Sequence, residues 1–279
     1  MMSNPGTLYI VATPIGNLSD ITQRALDTLN EVDLIAAEDT RHSGKLLSHF
    51  GIKTKMFPLH DHNEKQKAQS LLDQIAQGKS IALISDAGTP LISDPGYNLV
   101  NLAREQDVQV TPIPGPSAVI TALCAAGLPT DKFLFAGFLP VKQQAKLAIL
   151  TSYKNADFTT VFYESPRRII DTLKHVAEAL GDDKQVVVAK ELTKHYEAFK
   201  SGTAQEVIDW FGEDKDRQQG EMVIMLAPNK EESALSPEAE MLLKSLMEEL
   251  PTKKAAAITA KIHDLKKNDL YKLALTWQD

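Results

Sequence analysis

The first stretch of the chain with chemical promise is ISDAGTPLISDPG, residues 84–96. The apolar run SIALIS leads straight into Asp86. That pattern predicts a buried strand with a carboxylate at its carboxyl end, where open parallel sheets bind ligands. Ala87, Gly88 and Thr89 follow, small enough to let a ligand approach the backbone closely. Asp94 differs from Asp86. It precedes Pro95 and an amphipathic run, so the sequence predicts an N-cap aspartate with proline at the first helical position. A second glycine-proline turn, PIPGPSA at 112–118, follows another apolar run and opens a helix at Ser117-Ala118. Two such turns with few positive charges suit a ligand bearing amides and hydroxyls better than a polyphosphate.

Several familiar motifs are missing. No GxGxxG follows a strand and no GxxxxGK[ST] occurs, so neither phosphate-binding fingerprint is present. DAGT at 86–89 would match an aspartyl-phosphate phosphatase only with a second Asp where Gly88 stands. His60-Asp61-His62 contains zinc-ligating side chains, but no cysteine and no histidine at helical spacing accompanies them. The tripeptide reads as a polar loop before a helix at Asn63-Glu64, and no metal is expected. The single cysteine, Cys124, excludes an internal disulfide framework and fits a reducing cytoplasm. It lies in VITALCAAG, where inert core packing is the expectation.

The elements that must position these residues alternate. TLYIVAT, VDLIAAE, SIALISD and VQVTPI read as short buried strands. Between them lie the helical patterns SDITQRALDTLNEV, TRHSGKLLSHFG, NEKQKAQSLLDQIAQG and PGYNLVNLAREQ, the first capped by Ser19 or Asp20. Such alternation implies a parallel sheet covered on both faces, spanning residues 1–116. KFLFAGFLP, DFTTVFYES, KQVVVAKEL, EAFKSGT and GEMVIMLAP supply the strands of a second, mixed α/β domain, residues 117–228. Its helices are expected at about 141–152, 166–180 and 203–211. The polar linker NKEESALSP introduces a helical tail, 229–279. Ser236-Pro237 starts its first helix, Pro251 stops it and Thr252 caps the next. Two short helices with a tight turn then resemble a helix-turn-helix, although a tail packed on the body or a partner fits equally.

The 279 residues allow two domains of ordinary size, and 43% hydrophobic with 24% charged content is that of a soluble globular chain. No apolar stretch approaches the roughly 18–20 residues that span a bilayer. The N-terminal apolar run has no basic flank and reads as a first strand rather than a signal peptide. A net charge of −7 argues against a global basic grip on nucleic acid. From Pro251 onward, however, six lysines stand against Asp264, Asp269 and Asp279, so this segment carries +3 and the rest −10.

Eight stretches occur together in order: GTLYIVATPIGNLSDITQRAL (6–26), AEDTR (37–41), SDAGTPLISDPG (85–96), PGPSA (114–118), GFLP (137–140), YESPRR (163–168), KELTKHYE (190–197) and GEMVIM (220–225). As a set the chain resembles the tetrapyrrole-methylase superfamily of S-adenosylmethionine-dependent transferases. ATPIGNL, AEDTR and ESPRR resemble its ribosomal RNA branch, as does the tail. The resemblance implies a cofactor folded between the two domains. Asp86, Gly88 and Thr89 would contact it from the first glycine turn, and Ser117 and Ala118 from the second. Pro14 would border the cleft, with Tyr163 and the strand at 222–225 across from it. It further implies methylation of a cytidine ribose 2′-hydroxyl in the decoding centre of 16S RNA by a homodimer, and the −10 body predicts that the assembled small subunit is a better target than naked RNA.

That reaction needs a proton removed from a weak nucleophile held in line with the methyl carbon. Glu38, Asp39, Glu164 and Glu191, each at a predicted strand end, are the candidate bases. Lys190 or Arg167 could hold the neighbouring phosphate, and Arg41 and Lys194 are further substrate contacts. Asp39 could equally cap a helix, Glu164-Ser165-Pro166 could equally start one, and Glu191 could simply pair with a lysine, so no single base stands out. Two alternatives remain: a methylase of small tetrapyrroles, which would not need the basic tail, and a non-catalytic ribosome-binding module, for which lysine and arginine would serve better than dense carboxylates.

Overall fold

Residues 6–229, 237–263 and 265–277 are described by a computed structural model of the chain. The first part alternates as its apolar runs require: β1 (Thr7–Val11), α1 (Gln23–Glu31), β2 (Leu34–Ala37), α2 (Thr40–His49), β3 (Met56–Pro58), α3 (Glu64–Ala76), β4 (Ile81–Ile84), α4 (Tyr97–Glu105) and β5 (Gln109–Ile113). These strands form a parallel sheet in the order β3-β2-β4-β1-β5. Every residue of β2 and β4 is buried, as a sheet covered on both faces demands. The strand period of two sorts their side chains. Leu34, Ala36, Ile81 and Leu83 pack with Leu71, Leu72, Ile75 and Leu99 of α3 and α4. Ile35, Ala37, Ala82 and Ile84 pack with Ala25, Leu29 and Leu47 of α1 and α2.

The second part comprises α5 (Ala118–Ala125), β6 (Phe133–Phe138), α6 (Gln143–Ser152), β7 (Thr159–Glu164), α7 (Ile169–Leu180), β8 (Gln185–Lys190), β9 (Ala198–Thr203), α8 (Ala204–Glu213) and β10 (Met222–Leu226). Its sheet runs β6-β7-β10-β8-β9, with β6 and β7 parallel and the other pairs antiparallel. Helices α6, α7 and α8 cover one face through Leu150, Leu173, Val176, Val207 and Phe211. Helix α5 covers the other through Val119, Ala122 and Leu123, joined by Ile15 from the loop after β1. Both sheets therefore belong to one compact unit, residues 1–229.

Residues 230–279 form a second unit. It contains α9 (Pro237–Glu249), α10 (Thr252–His263) and α11 (Lys267–Thr276), built around Leu243, Ala255, Ala256, Ala260, Leu270 and Ala274. The expected cap Ser236 lies outside the described residues. Helix α10 begins at Thr252 itself, one residue before the expected start. No helix among the described residues is long and apolar enough to cross a membrane.

Several local expectations are corrected. Ser19 and Asp20 do not cap α1; they belong to a 3-10 turn, and Thr22 caps the helix by accepting the Ala25 N–H at 3.1 Å. Cys124 is exposed rather than packed in the core, because α5 buries only its opposite face. Helix α7 begins at Ile169, so Ser165 and Pro166 form a turn ahead of it instead of its cap and first residue. Asp94 does not cap α4. The helix starts at Tyr97 after Gly96, which adopts φ +130° and offers no side chain. The cap comes from another helix: buried Glu64, in the first turn of α3, accepts the Leu99 N–H at 2.8 Å and the Asn98 Nδ2 at 3.1 Å.

This arrangement makes a divided prediction. Glu64→Ala leaves the buried Leu99 N–H without its acceptor and is expected to cost about 1–3 kcal/mol, read as a lowered urea midpoint. Asp94→Asn is expected not to lower it. Equal losses from the two variants would return the cap to Asp94.

Candidate functional site

The loops at the carboxyl edge of the parallel sheet are tied to one another. Thr13, just past β1, exchanges two backbone hydrogen bonds with Gly88 in the loop after β4, at 2.9 and 3.0 Å. The buried Thr13 hydroxyl donates to the Ser85 carbonyl at 3.3 Å. Gly88 holds φ +83°, a conformation that favours glycine, and a Cβ there would lie 3.3 Å from the Ile15 side chain. Thr89 Oγ1 donates to the Pro116 carbonyl at 3.0 Å and so binds in the loop after β5. Gly115 lies so close to Ala12 that a Cβ would stand 2.9 Å from the Ala12 Cβ.

Against this edge lies a cleft of about 360 Å³. Ala87, Gly88 and Thr89 line it from the loop after β4, Ser117 and Ala118 from the start of α5, and Tyr163, Leu192 and Val223 from the second sheet and its loops. Of the residues expected at a cofactor, Gly88, Thr89, Ser117, Ala118 and Tyr163 meet here, joined by Glu164. Tyr163 packs edge-on against Phe135 and Phe138, with ring centres 4.8 and 5.6 Å apart. Burial, with the Asp94 charge nearby, pushes its hydroxyl up to about 12. The acidic residues of the cleft that sequence reasoning did not assign to it are Asp94 and Glu221. Asp94 was hidden by its resemblance to a cap, and Glu221 by the lack of any local motif.

A second cavity, about 420 Å³, adjoins the first and shares Ile15, Ala87 and Glu221 with it. Pro14, Asp86 and Lys194 line this second cavity rather than the first, together with His42, Lys45 and His49 of α2. Asp86 is clasped to the end of the neighbouring strand. Its Oδ1 accepts the Asp39 N–H at 3.2 Å, and its own N–H donates to Glu38 Oε2 at 3.3 Å. Burial raises the Glu38 carboxyl above its usual value, and Asp86 and Asp94 add to the shift. Burial likewise raises Asp94, with Asp86 and Asp61 adding repulsion.

The remaining candidates are engaged elsewhere. Asp39 caps α2 through the Arg41 N–H at 2.8 Å and grips the Arg41 guanidinium at 2.8 and 3.2 Å, which holds its carboxyl well below the usual range. Glu164 has a fully buried side chain. It accepts from Ser165 N–H at 2.8 Å, Thr172 Oγ1 at 2.7 Å and Arg168 Nε at 3.1 Å. Arg168 continues to the Leu139 carbonyl at 2.6 Å, so this network fixes the turn that borders the cleft. Buried Lys146 reaches the same Thr172 and also Asp171. Glu191 pairs with Lys194 at 2.9 Å, and Lys194 also holds Glu221 at 2.9 Å. Lys190 is buried, whereas Arg167 is exposed outside both cavities.

Small side chains at a tied sheet edge, an aromatic wall and carboxylates without a cation cluster suit a neutral or cationic ligand better than a polyphosphate. The Tetrapyrrole (Corrin/Porphyrin) Methylases family profile matches residues 7–208, and the RsmI C-terminal HTH domain profile matches 233–278. The chain is 56% identical to ribosomal RNA small subunit methyltransferase I of Vibrio cholerae, over 96% of this chain and 94% of that protein. It is 52% identical to the protein of the same name from Escherichia coli O157:H7, over 99% and 97%. The crystal structure of the methyltransferase CobJ shares its fold with a TM-score of 0.61 at 16% identity, covering 80% of this chain and 95% of that one.

The raised carboxyls set a pH dependence. A group raised in the folded state contributes stability below its unfolded value, near 4 for a carboxyl, and loses it as pH climbs through the folded value. The double variant Glu38→Gln, Asp94→Asn lacks this loss. Thermal melts are expected to show its advantage over the parent widening from about pH 4 to pH 7. A difference independent of pH would remove the upward displacement of these two carboxyls by burial and neighbouring charge.

Proposed function

The chain belongs to the tetrapyrrole methylase family, and from that premise we propose that it is an S-adenosylmethionine-dependent methyltransferase of small-subunit ribosomal RNA. The observation that carries the reading is identity above 50% over nearly the whole length with relatives named for that activity. The finer reading is transfer to the ribose 2′-hydroxyl of a decoding-centre cytidine in 16S RNA, in the cytoplasm, on the assembled subunit.

The first cleft suits the cofactor. Its volume of about 360 Å³ lies within the roughly 300–1,000 Å³ of small-molecule sites. Gly88, Thr89, Ser117 and Ala118 present backbone and small polar groups to it, and Tyr163 and Leu192 an apolar wall. Asp94 offsets positive charge and accepts from amino or hydroxyl groups, whereas Glu221 is already paired with Lys194. When bound, the cofactor supplies a methyl group activated by its sulfonium. The protein's task is to hold the acceptor oxygen in line and to take its proton. We assign the proton to the Glu38–Asp86–Asp94 carboxylate group, because Asp39, Glu164 and Glu191 are already held by Arg41, Arg168 and Lys194. Glu164 then acts by fixing the cleft's rim, and Lys190 and Glu191 by shaping the loop opposite.

The RsmI C-terminal HTH match and the basic tail support contact with RNA outside the cleft. Edge strand β6 exposes Phe133 and Leu134, and Ile120 and Val141 are also exposed. An open apolar edge of this kind supports a homodimer.

Methyl-labelled cofactor offered with small subunits, naked 16S RNA or a tetrapyrrole precursor tests the reaction. Label is expected on the subunit above naked RNA, because the −10 body repels free RNA. Label on the tetrapyrrole alone would overturn the reading. Asp94→Ala is expected to weaken cofactor binding by about 10- to 100-fold, the worth of one charge-assisted hydrogen bond; an unchanged Kd would remove Asp94 from the site. Sedimentation is expected to give twice the chain mass, reduced to one chain by Phe133→Asp.

A further inference from the structure

The second cavity has a basic wall that neither the cleft chemistry nor the family match assigns. His42, Lys45 and His49 stand at i, i+3 and i+7 on α2, so one face of the helix carries all three into the cavity. All three are exposed, and none has a carboxylate within ion-pair distance among the described residues. Their neighbours differ. Arg41 is committed to Asp39, and Lys194, also lining the cavity, is held between Glu191 and Glu221. Uncommitted basic side chains gathered along one helix face are unexpected on a chain of net charge −7.

The cavity is also polarised. Asp86 stands beside Ala87 where the cavity adjoins the cofactor cleft and makes that end acidic, while Glu221 on the shared wall is paired with Lys194. A phosphate is repelled from the acidic end and attracted to α2, whereas a sugar hydroxyl meets acceptors at the acidic end. We propose that this cavity receives the acceptor nucleotide, with the α2 face of His42, Lys45 and His49 binding the phosphodiester next to the target ribose. The assignment rests on the reading of the protein as a ribosomal RNA methyltransferase. It makes α2 a docking element separate from the helical tail. Phosphate contacts of this kind fix register without reading sequence.

The test uses the full chain, small ribosomal subunits lacking the modification, and methyl-labelled S-adenosylmethionine. The triple variant His42→Ala, Lys45→Ala, His49→Ala is expected to raise KM for subunits at least tenfold and to leave the cofactor Kd within twofold. Its log–log salt dependence of binding is expected to be shallower by about 0.7 for each phosphate of single-stranded RNA that the variant no longer neutralises. In the same background, Lys45→Arg in place of Lys45→Ala is expected to recover part of the affinity. An unchanged KM and salt slope, with the parent active on subunits, would overturn the phosphate site and leave the methyltransferase reading intact. A parent that binds cofactor but labels no subunit would overturn both.

Discussion

The site depends on one short backbone pairing. Thr13 and Gly88 exchange N–H and carbonyl across the loops that leave β1 and β4, the adjacent central strands. Without it only the Thr13 hydroxyl bond to the Ser85 carbonyl would link these two connections at the open end of the sheet. With it they form one platform, which Thr89 extends to Pro116 and hence to the start of α5. The pairing requires a residue that tolerates φ +83° in a space bounded by Ile15. Glycine at position 88 is therefore a condition of the platform as well as a gap through which a ligand can approach.

Charge is the second constraint. Parallel strands end at one edge, so Glu38, Asp39 and Asp86, drawn from β2 and β4, come close together. Asp94 joins them from the same loop as Asp86. The structure relieves only part of the repulsion. Asp39 is neutralised by Arg41, while Glu38 and Asp94 keep carboxyls displaced upward by burial and by their neighbours. Glu64 takes over the capping of α4, which leaves Asp94 free to border the cleft. Destabilising groups retained at a cleft are what a stability–activity trade-off leaves behind. They also provide acceptors whose proton affinity has moved toward neutrality.

What the sequence makes legible follows from how local each cause is. Fully buried strands such as LIAA and IALI announce themselves as apolar runs, and the alternation with amphipathic helices carries the parallel sheet with it. The mixed direction of the second sheet and its five strands are likewise readable. β3 is not, since Met56–Pro58 has only three residues, two of them half-buried. Asp94 misleads because Asp-Pro before a helix is a sound local signal, and the competing cap sits on α3, thirty positions upstream. Cys124 misleads because a helix apolar at every position but Thr121 does not reveal which side it buries. Gly88, Thr89, Ser117, Ala118 and Tyr163 are readable as one group through family motifs, and the cleft brings them together. The separation of Pro14 and Asp86 into the adjoining cavity has no local signal, because it depends on how Ile15 and Ala87 stand between the two spaces.

Strain identifies the opposing rim as a built surface. Leu91 and Ser93, in the loop after β4, and Glu191 and Thr193, in the loop after β8, all take positive φ without being glycine. Such residues persist only where their surroundings over-determine them. Around Glu191 they do. Its N–H donates to the Glu221 carbonyl at 2.9 Å, and its side chain accepts the Glu221 N–H at 2.9 Å. Gly220 fits against it only because it lacks a Cβ, which would collide with the Glu191 carboxyl. Thr193 N–H is held by Glu197 at 2.6 Å, and its hydroxyl accepts the Asn17 N–H at 3.0 Å from the loop after β1. The strained turn of the second sheet is thus fastened to the platform of the first, and Lys194 and Leu192, one on each side of Thr193, line the two adjoining cavities. This loop therefore borders both spaces together with Ile15 and Ala87, and its conformation must be fixed if a donor in one space is to meet an acceptor in the other.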